Sequence, residues 1–203
     1  MLKAGLESVI AAEPTVTHYD TVVGDGDCGI GLQRGAESIL EAMSKGQLDT
    51  TDAVTLVEHI VSAIETSMDG TSGAIYAIFL NALVFGLRGQ NSNLDSGSSK
   101  QAVDVAMWAK AAEVAVKSLG QYTPARTGDR TLMDALQPFV EQLKATGDIK
   151  LAAAEAEKGA DKTKGMKASL GRTVYVGGKG WQDVPDPGAY GLAQFLTAFA
   201  AAV

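Results

Sequence analysis

The stretch GTSGAIYAIFLNALVFGLRG, residues 70–89, is apolar on nearly every face of a helix. It reads as a buried central helix, and a chain containing one must wrap further helices around it. The rest of the sequence offers them. Leu2, Leu6, Val9 and Ile10 form a stripe expected to end before Pro14. A second helix is expected to start near Gly29 and turn Ile39, Leu40 and Met43 inwards. Val54, Val57, Ile60, Val61, Ile64 and Met68 recur at helical spacing. After the polar loop GQNSNLDSGSSK an alanine-rich helix is expected over about 100–119. Leu132, Leu136, Phe139, Val140 and Leu143 mark another, with Pro138 as a bend and Gly147 as its stop. Residues 149–165 form a charged helix weakened by Gly159, GRTVYVGGKGWQDVPDPG an extended loop, and a last helix runs from about Gly188 to Ala201. The fold class expected is all-α, with roughly eight helices and no convincing strand pair. No repeat and no long polar linker divides the 203 residues, so 1–203 is expected to be one domain.

That pattern decides how to read TVVGDGDCGIGLQRG, where Gly24, Gly26 and Gly29 have the spacing G-x-G-x-x-G. A dinucleotide fingerprint needs a strand before it and a second parallel strand after its helix. THYDTVV could pass as a short strand, but no partner strand follows. Asp25 and Asp27 would also meet a pyrophosphate as like charges. A net charge of −7 argues against nucleic acid or an anionic membrane as a non-specific partner. No run of about eighteen apolar residues reads as a membrane span, and the N-terminus lacks a signal-peptide core. One cysteine, Cys28, rules out an internal disulfide and agrees with a cytoplasmic location. The first helix starts without a capping residue, which points to a domain cut from a longer polypeptide.

Asp20, Asp25 and Asp27 place three carboxylates within eight residues. An EF-hand loop fails, because its glycine and glutamate positions hold Ile30 and Ala36. Magnesium suits the set better, taking one or two carboxylates and completing its shell with water and phosphate oxygens. A solvated acidic turn with a helix-capping aspartate is the other reading. Gly29 and Gly31 open the next helix, whose free N–H groups suit an anion. Gly70, Thr71, Ser72 and Gly73 begin a second such helix start, as a phosphate seat or an ordinary N-cap. Asp186, Pro187 and Gly188 begin a third. Neither a Walker A sequence nor the protein-kinase set occurs. His59 in an apolar pattern reads as a packed histidine, and His18 as a structural hydrogen-bonding one. Trp181 and Tyr175 could cover a ligand or anchor the core.

In order along the chain, Asp20-x4-Asp25-Gly26-Asp27-Cys28-Gly29, Gly70-Thr71-Ser72-Gly73, Gly128-Asp129-Arg130-Thr131-Leu132-Met133-Asp134, Ala168-Ser169-Leu170-Gly171-Arg172 and Asp186-Pro187-Gly188 resemble the nucleotide-binding L-type domain of dihydroxyacetone kinases. The resemblance implies an eight-helix antiparallel barrel with the nucleotide bound at one end. It implies that Asp20, Asp25 and Asp27 hold two magnesium ions, and that Cys28, Gly29, Ile30, Gly31, Thr71 and Ser72 line the phosphates and ribose of ATP or ADP. Gly120, Thr131, Leu132, Arg172, Asp186, Pro187 and Gly188 complete that pocket by the same resemblance, with Arg172 as the catalytic donor to phosphate.

Cys28 stands where the L subunits of phosphotransferase-dependent kinases carry histidine, which resembles the fused, ATP-dependent type instead. The expected partner is a separate dihydroxyacetone-binding domain or subunit, through which a homodimer could form. Two alternatives are an ADP-holding L subunit and a non-catalytic nucleotide-binding regulatory module.

Overall fold

A computed structural model describes residues 1–91, 103–175 and 180–203. Eight α-helices occur among them: α1 (Leu2–Val23), α2 (Cys28–Ser44), α3 (Ala53–Ser67), α4 (Gly70–Asn91), α5 (Val105–Leu119), α6 (Met133–Thr146), α7 (Ile149–Lys162) and α8 (Pro187–Ala201). Short 3-10 turns at Arg172–Val174 and Trp181–Asp183 interrupt the segment before α8. No strand occurs among the described residues. Most of the polar loop 89–100 and part of the extended loop lie outside them.

Each helix packs on its neighbours in sequence, and α8 packs back on α1, so the eight close into an antiparallel ring. Every helix lends side chains to a central apolar cavity of about 680 Å³, among them Leu6, Ile39, Phe79, Trp108, Phe139 and Phe195. Local sequence sets the helix starts. The Asp52 carboxylate accepts from the Thr55 amide, Asp104 from Met107, and Asp148 from Lys150 and Leu151. These caps satisfy amides that have no acceptor within the helix. Gly147, at φ 67°, ends α6 in the left-handed conformation that glycine adopts without strain.

Three expectations change. Helix α1 does not stop before Pro14 but runs through it to Val23, taking in the residues of THYDTVV. Proline removes one helical hydrogen bond and costs about 3 kcal/mol in a helix interior. Burial of Val16 and Val23 on the continuing face offsets that cost. Helix α4 is not buried all round: Ile75, Tyr76, Phe79 and Leu80 line the cavity, while Phe85 is 72% exposed. Its segment Gly70–Gln90 is also long and apolar enough to cross a membrane by length and composition. In the ring that apolar surface packs against α3 and α5 and faces the cavity.

The weak point expected at Gly159 is a packing device. A Cβ there would overlap the Asp134 carbonyl oxygen and meet the Pro138 ring at 3.5 Å. With Ala152, Ala153, Ala156 and Ala160, all nearly inaccessible, Gly159 lets α7 lie close against α6. Gly159→Ala should therefore destabilise the protein by about 1–3 kcal/mol, the cost of overpacking, although alanine is the better helix former. Urea denaturation measures it; unchanged or higher stability would show that the α6–α7 seam can widen freely.

Candidate nucleotide and metal site

In an antiparallel ring the connections after α1, α3, α5 and α7 all emerge at one end. The expected site residues lie in these four connections or in the turns that flank them. Asp20, Asp25 and Asp27 each place a carboxylate oxygen within 4.8 Å of the others, with Asp20 buried and the other two exposed. Asp20 sits on the last turn of α1. Its Oδ2 accepts hydrogen bonds from the Asp27 amide at 2.9 Å and the Cys28 amide at 3.0 Å. The capping role suggested for an aspartate here is real, and it falls to Asp20 rather than to Asp27, whose side chain caps nothing. Gly24 is required at the turn because a Cβ would collide with Asp20 Oδ1.

The first turn of α2 divides its amides. Cys28 donates to Asp20 and Gly31 donates to the Asp27 carbonyl, leaving the Gly29 and Ile30 amides as first-turn donors without helical acceptors. The glycines serve different ends. A Cβ on Gly29 would lie 2.6 Å from the Glu13 carbonyl oxygen, so Gly29 seats α2 against α1. Gly31 has open space around it and is the one that leaves room for a ligand.

Burial, then the charges of Asp20, Asp186, Asp27 and Asp25, push the Cys28 thiol well above its ordinary range. It stays a neutral thiol, neither nucleophile nor added charge. Tyr76, one turn beyond Ser72 in α4, is raised chiefly by burial and then by Cys28 and Asp186, which ties the start of α4 to the same mouth. Thr71 and Ser72 fall inside the first turn of α4 rather than before it.

Arg172 Nη1 pairs with Asp25 Oδ2 at 2.9 Å, an exposed contact worth about 0–1 kcal/mol. Asp186 caps α8 by accepting from the Ala189 amide at 2.7 Å, Pro187 occupies the first helical position, and Gly188 lies beside Leu132. Thr131 is held by its amide to Asp134, and Gly120 by its carbonyl to Arg126. Thr71, Ser72 and Gly120 reach this end of the ring without a hydrogen bond to the acidic loop. Tyr175 is 86% exposed and does not anchor the core, whereas Trp181 packs on Arg130. His18 tilts against Tyr19, and the Asp49 amide donates to His59 Nδ1 at 3.5 Å.

Sequence reasoning passed over two residues. Asp134 is 1% exposed and accepts from the Gly128 and Thr131 amides, and Arg130 is equally buried. Both lie within the quoted Gly128–Asp134 motif. Arg130 stands in the loop before α6 and Asp134 in the first turn of that helix, so no shared spacing marks them.

This is a helical ring with an acidic mouth flanked by helix starts. A family model described as the DAK2 domain matches residues 22–201, and the chain belongs to that family. It is 41% identical over 203 residues to a dihydroxyacetone kinase of Komagataella pastoris, covering 97% of this chain and 33% of that protein. It is 44% identical over 208 residues to dihydroxyacetone kinase 2 of Saccharomyces cerevisiae, covering 100% of this chain and 34% of that one. Among solved structures it is similar to the dihydroxyacetone kinase from C. freundii in complex with AMP-PNP and Mg2+, with a TM-score of 0.77 and 26% identity. That likeness covers all of this chain and 33% of the other. The chain thus spans about a third of the length of the relatives it matches.

Burial, followed by the charges of Asp134 and Asp20, pushes Asp186 up to about 7 against the opposing pull of the Ala189 amide and Arg130. Because the folded state holds this proton more tightly than the unfolded chain, its contribution to stability is full below about pH 4. It is lost as pH rises through 7. Asp186→Asn keeps the capping oxygen and removes the titration. In the metal-free protein, the stability of Asp186→Asn relative to the parent should therefore grow from pH 4.5 to 7.5 in urea denaturation. A flat difference would mean that Asp186 is ionised throughout.

Proposed function

We propose that this chain is the Mg-ATP-binding domain of a dihydroxyacetone kinase and gives the γ-phosphoryl of ATP to dihydroxyacetone held by a separate acceptor domain. The observation that carries this reading is the meeting of three carboxylates, the starts of α2 and α8, and Arg172 at one mouth of the ring. The binding of AMP-PNP with Mg2+ by the similar C. freundii kinase supports it.

The donor set fits magnesium: every ligand is a carboxylate oxygen, the type a hard divalent cation prefers. Asp20, Asp25 and Asp27 would hold two ions, Asp20 through the Oδ1 that its two amide donors leave free. Magnesium, when bound, supplies the positive charge that lets phosphates approach this acidic loop. The chain's own groups do the rest. The Gly29 and Ile30 amides and the first turn of α4 at Thr71 and Ser72 offer donors to phosphate oxygens. Arg172 uses one nitrogen on Asp25 and keeps others for the transferring group. Cys28 and Gly31 shape the phosphate side. Leu132 and Gly188 form an apolar wall for the base, completed by Gly120, Thr131, Asp186 and Pro187. Such a site works by positioning and charge neutralisation, with no covalent step on the protein.

Replacing Asp25 or Asp27 with Asn should weaken Mg-ATP binding about tenfold or more while leaving helix content unchanged, since both lie in the α1–α2 turn. Calorimetric titration with magnesium and with EDTA tests this; equal affinities under both conditions would remove the metal from the site. The chain alone should bind Mg-ATP yet form no dihydroxyacetone phosphate, because transfer needs donor and acceptor held in line. Activity should appear when a separately expressed acceptor domain is mixed in. Turnover by the chain alone would overturn this division, and nucleotide that never exchanges during turnover would favour the ADP-holding alternative.

A further inference from the structure

We propose that Arg130 is the positioning residue for Arg172: one buried guanidinium ties together both ends of the segment that carries Arg172 to the acidic loop. The proposal rests on the reading of Arg172 as the phosphate-contacting residue. Arg172 belongs to no long helix. It begins a 3-10 turn in the α7–α8 connection, and its side chain is 64% exposed, with Asp25 as its ion-pair partner. Its aim is therefore set by how that connection is anchored.

The anchors converge on one loop. Arg130 Nη1 donates to the Met166 carbonyl and Nη2 to the Val184 carbonyl, both at 2.8 Å. These carbonyls stand on opposite sides of Arg172 in the chain. Next to Arg130, the Asp129 carboxylate accepts from the Ser169 hydroxyl at 2.9 Å, three residues before Arg172. The Trp181 ring packs against the Arg130 guanidinium, 5.6 Å from its centre. A planar fork can bridge two carbonyls in this way; a lysine ammonium lacks that geometry.

Arg130 is costly to keep. It is 1% exposed, no hydrogen-bonded carboxylate balances its charge, and Nε–H has no partner among the described residues. Its backbone φ of 59° is also unfavourable for a residue with a side chain. Strain and an orphaned donor persist where surrounding structure over-determines them. Thr131 and Leu132, the next two residues, are proposed to meet the nucleotide. One residue thus joins the base side of the pocket to the phosphate side.

Two variants test this. Arg130→Lys keeps the charge and loses the fork, and Arg130→Gly suits the left-handed backbone and removes the side chain. In both, backbone amides of residues 166–174 should exchange hydrogen about tenfold faster or more, while those of α1, α5 and α8 stay within about twofold of the parent. Titration with Mn2+ in the absence of nucleotide, followed by electron paramagnetic resonance, gives a second readout. Freeing Asp25 from its cation should tighten Mn2+ binding several-fold in Arg172→Gln and equally in Arg130→Lys, with no further gain in the double variant. Additive gains would overturn the proposal. So would unchanged exchange in 166–174, acceleration spread over the whole ring, or loss of helical structure in both variants. Absence of Mn2+ binding by the parent would instead count against the metal assignment, and the exchange measurement would still decide on Arg130.

Discussion

Closure between α8 and α1 is the constraint from which the rest follows. Once eight consecutive helices alternate in direction and the last packs on the first, every connection from an odd to an even helix lies at the same end. Residues as distant in sequence as Asp20 and Asp186 thereby become electrostatic neighbours. Packing of small residues makes the closure possible: Gly159 and the alanines of α7 on α6, and Gly29 of α2 on α1. Many of the inward aliphatic side chains line a common cavity, while others such as Val57, Leu87 and Leu119 fill the seams between adjacent helices.

The mouth gathers more negative charge than it neutralises. Asp20, Asp25, Asp27 and Asp186 lie close enough to raise the proton affinity of Cys28 between them, and Asp186 is itself pushed up to about 7. Against them stand helix N-termini, Arg172 and the deeper Arg130. Such an imbalance disfavours a bare anion and favours one that arrives with its own cations. A nucleotide phosphate chain with magnesium has that character, which is why the electrostatics and the DAK2 family membership support the same reading.

Much of this was legible in the sequence, for physical reasons that differ by element. The apolar faces of α3 and α6, the stop of α6 at Gly147, and the grouping of acidic and glycine-rich segments at helix starts follow from local spacing and turn chemistry. Pro14 misled because a local cost was outweighed by burial of Val16 and Val23, which only the assembled ring makes visible. Helix α4 looked buried on all sides because composition cannot tell a packed face from one that lines a cavity. Gly29 has a further role that its spacing does not reveal, since its missing side chain lets α2 contact α1. Arg130 and Asp134 were passed over because their partners are backbone groups, which leave no mark in a residue pattern.

The same alternation of helices fixes how anything tethered to this chain must travel. Residue 1 precedes α1 and residue 203 follows α8, so both lie at the end of the ring away from the acidic mouth; Lys150, at the start of α7, reaches the Val203 carbonyl there. The 22 residues of α1 span about 33 Å at 1.5 Å per residue. A body joined to either terminus must therefore be large enough to reach round the ring, or be joined by roughly ten extended residues, before it can face the mouth. For any partner attached there, reach round the ring would set its effective concentration at the mouth.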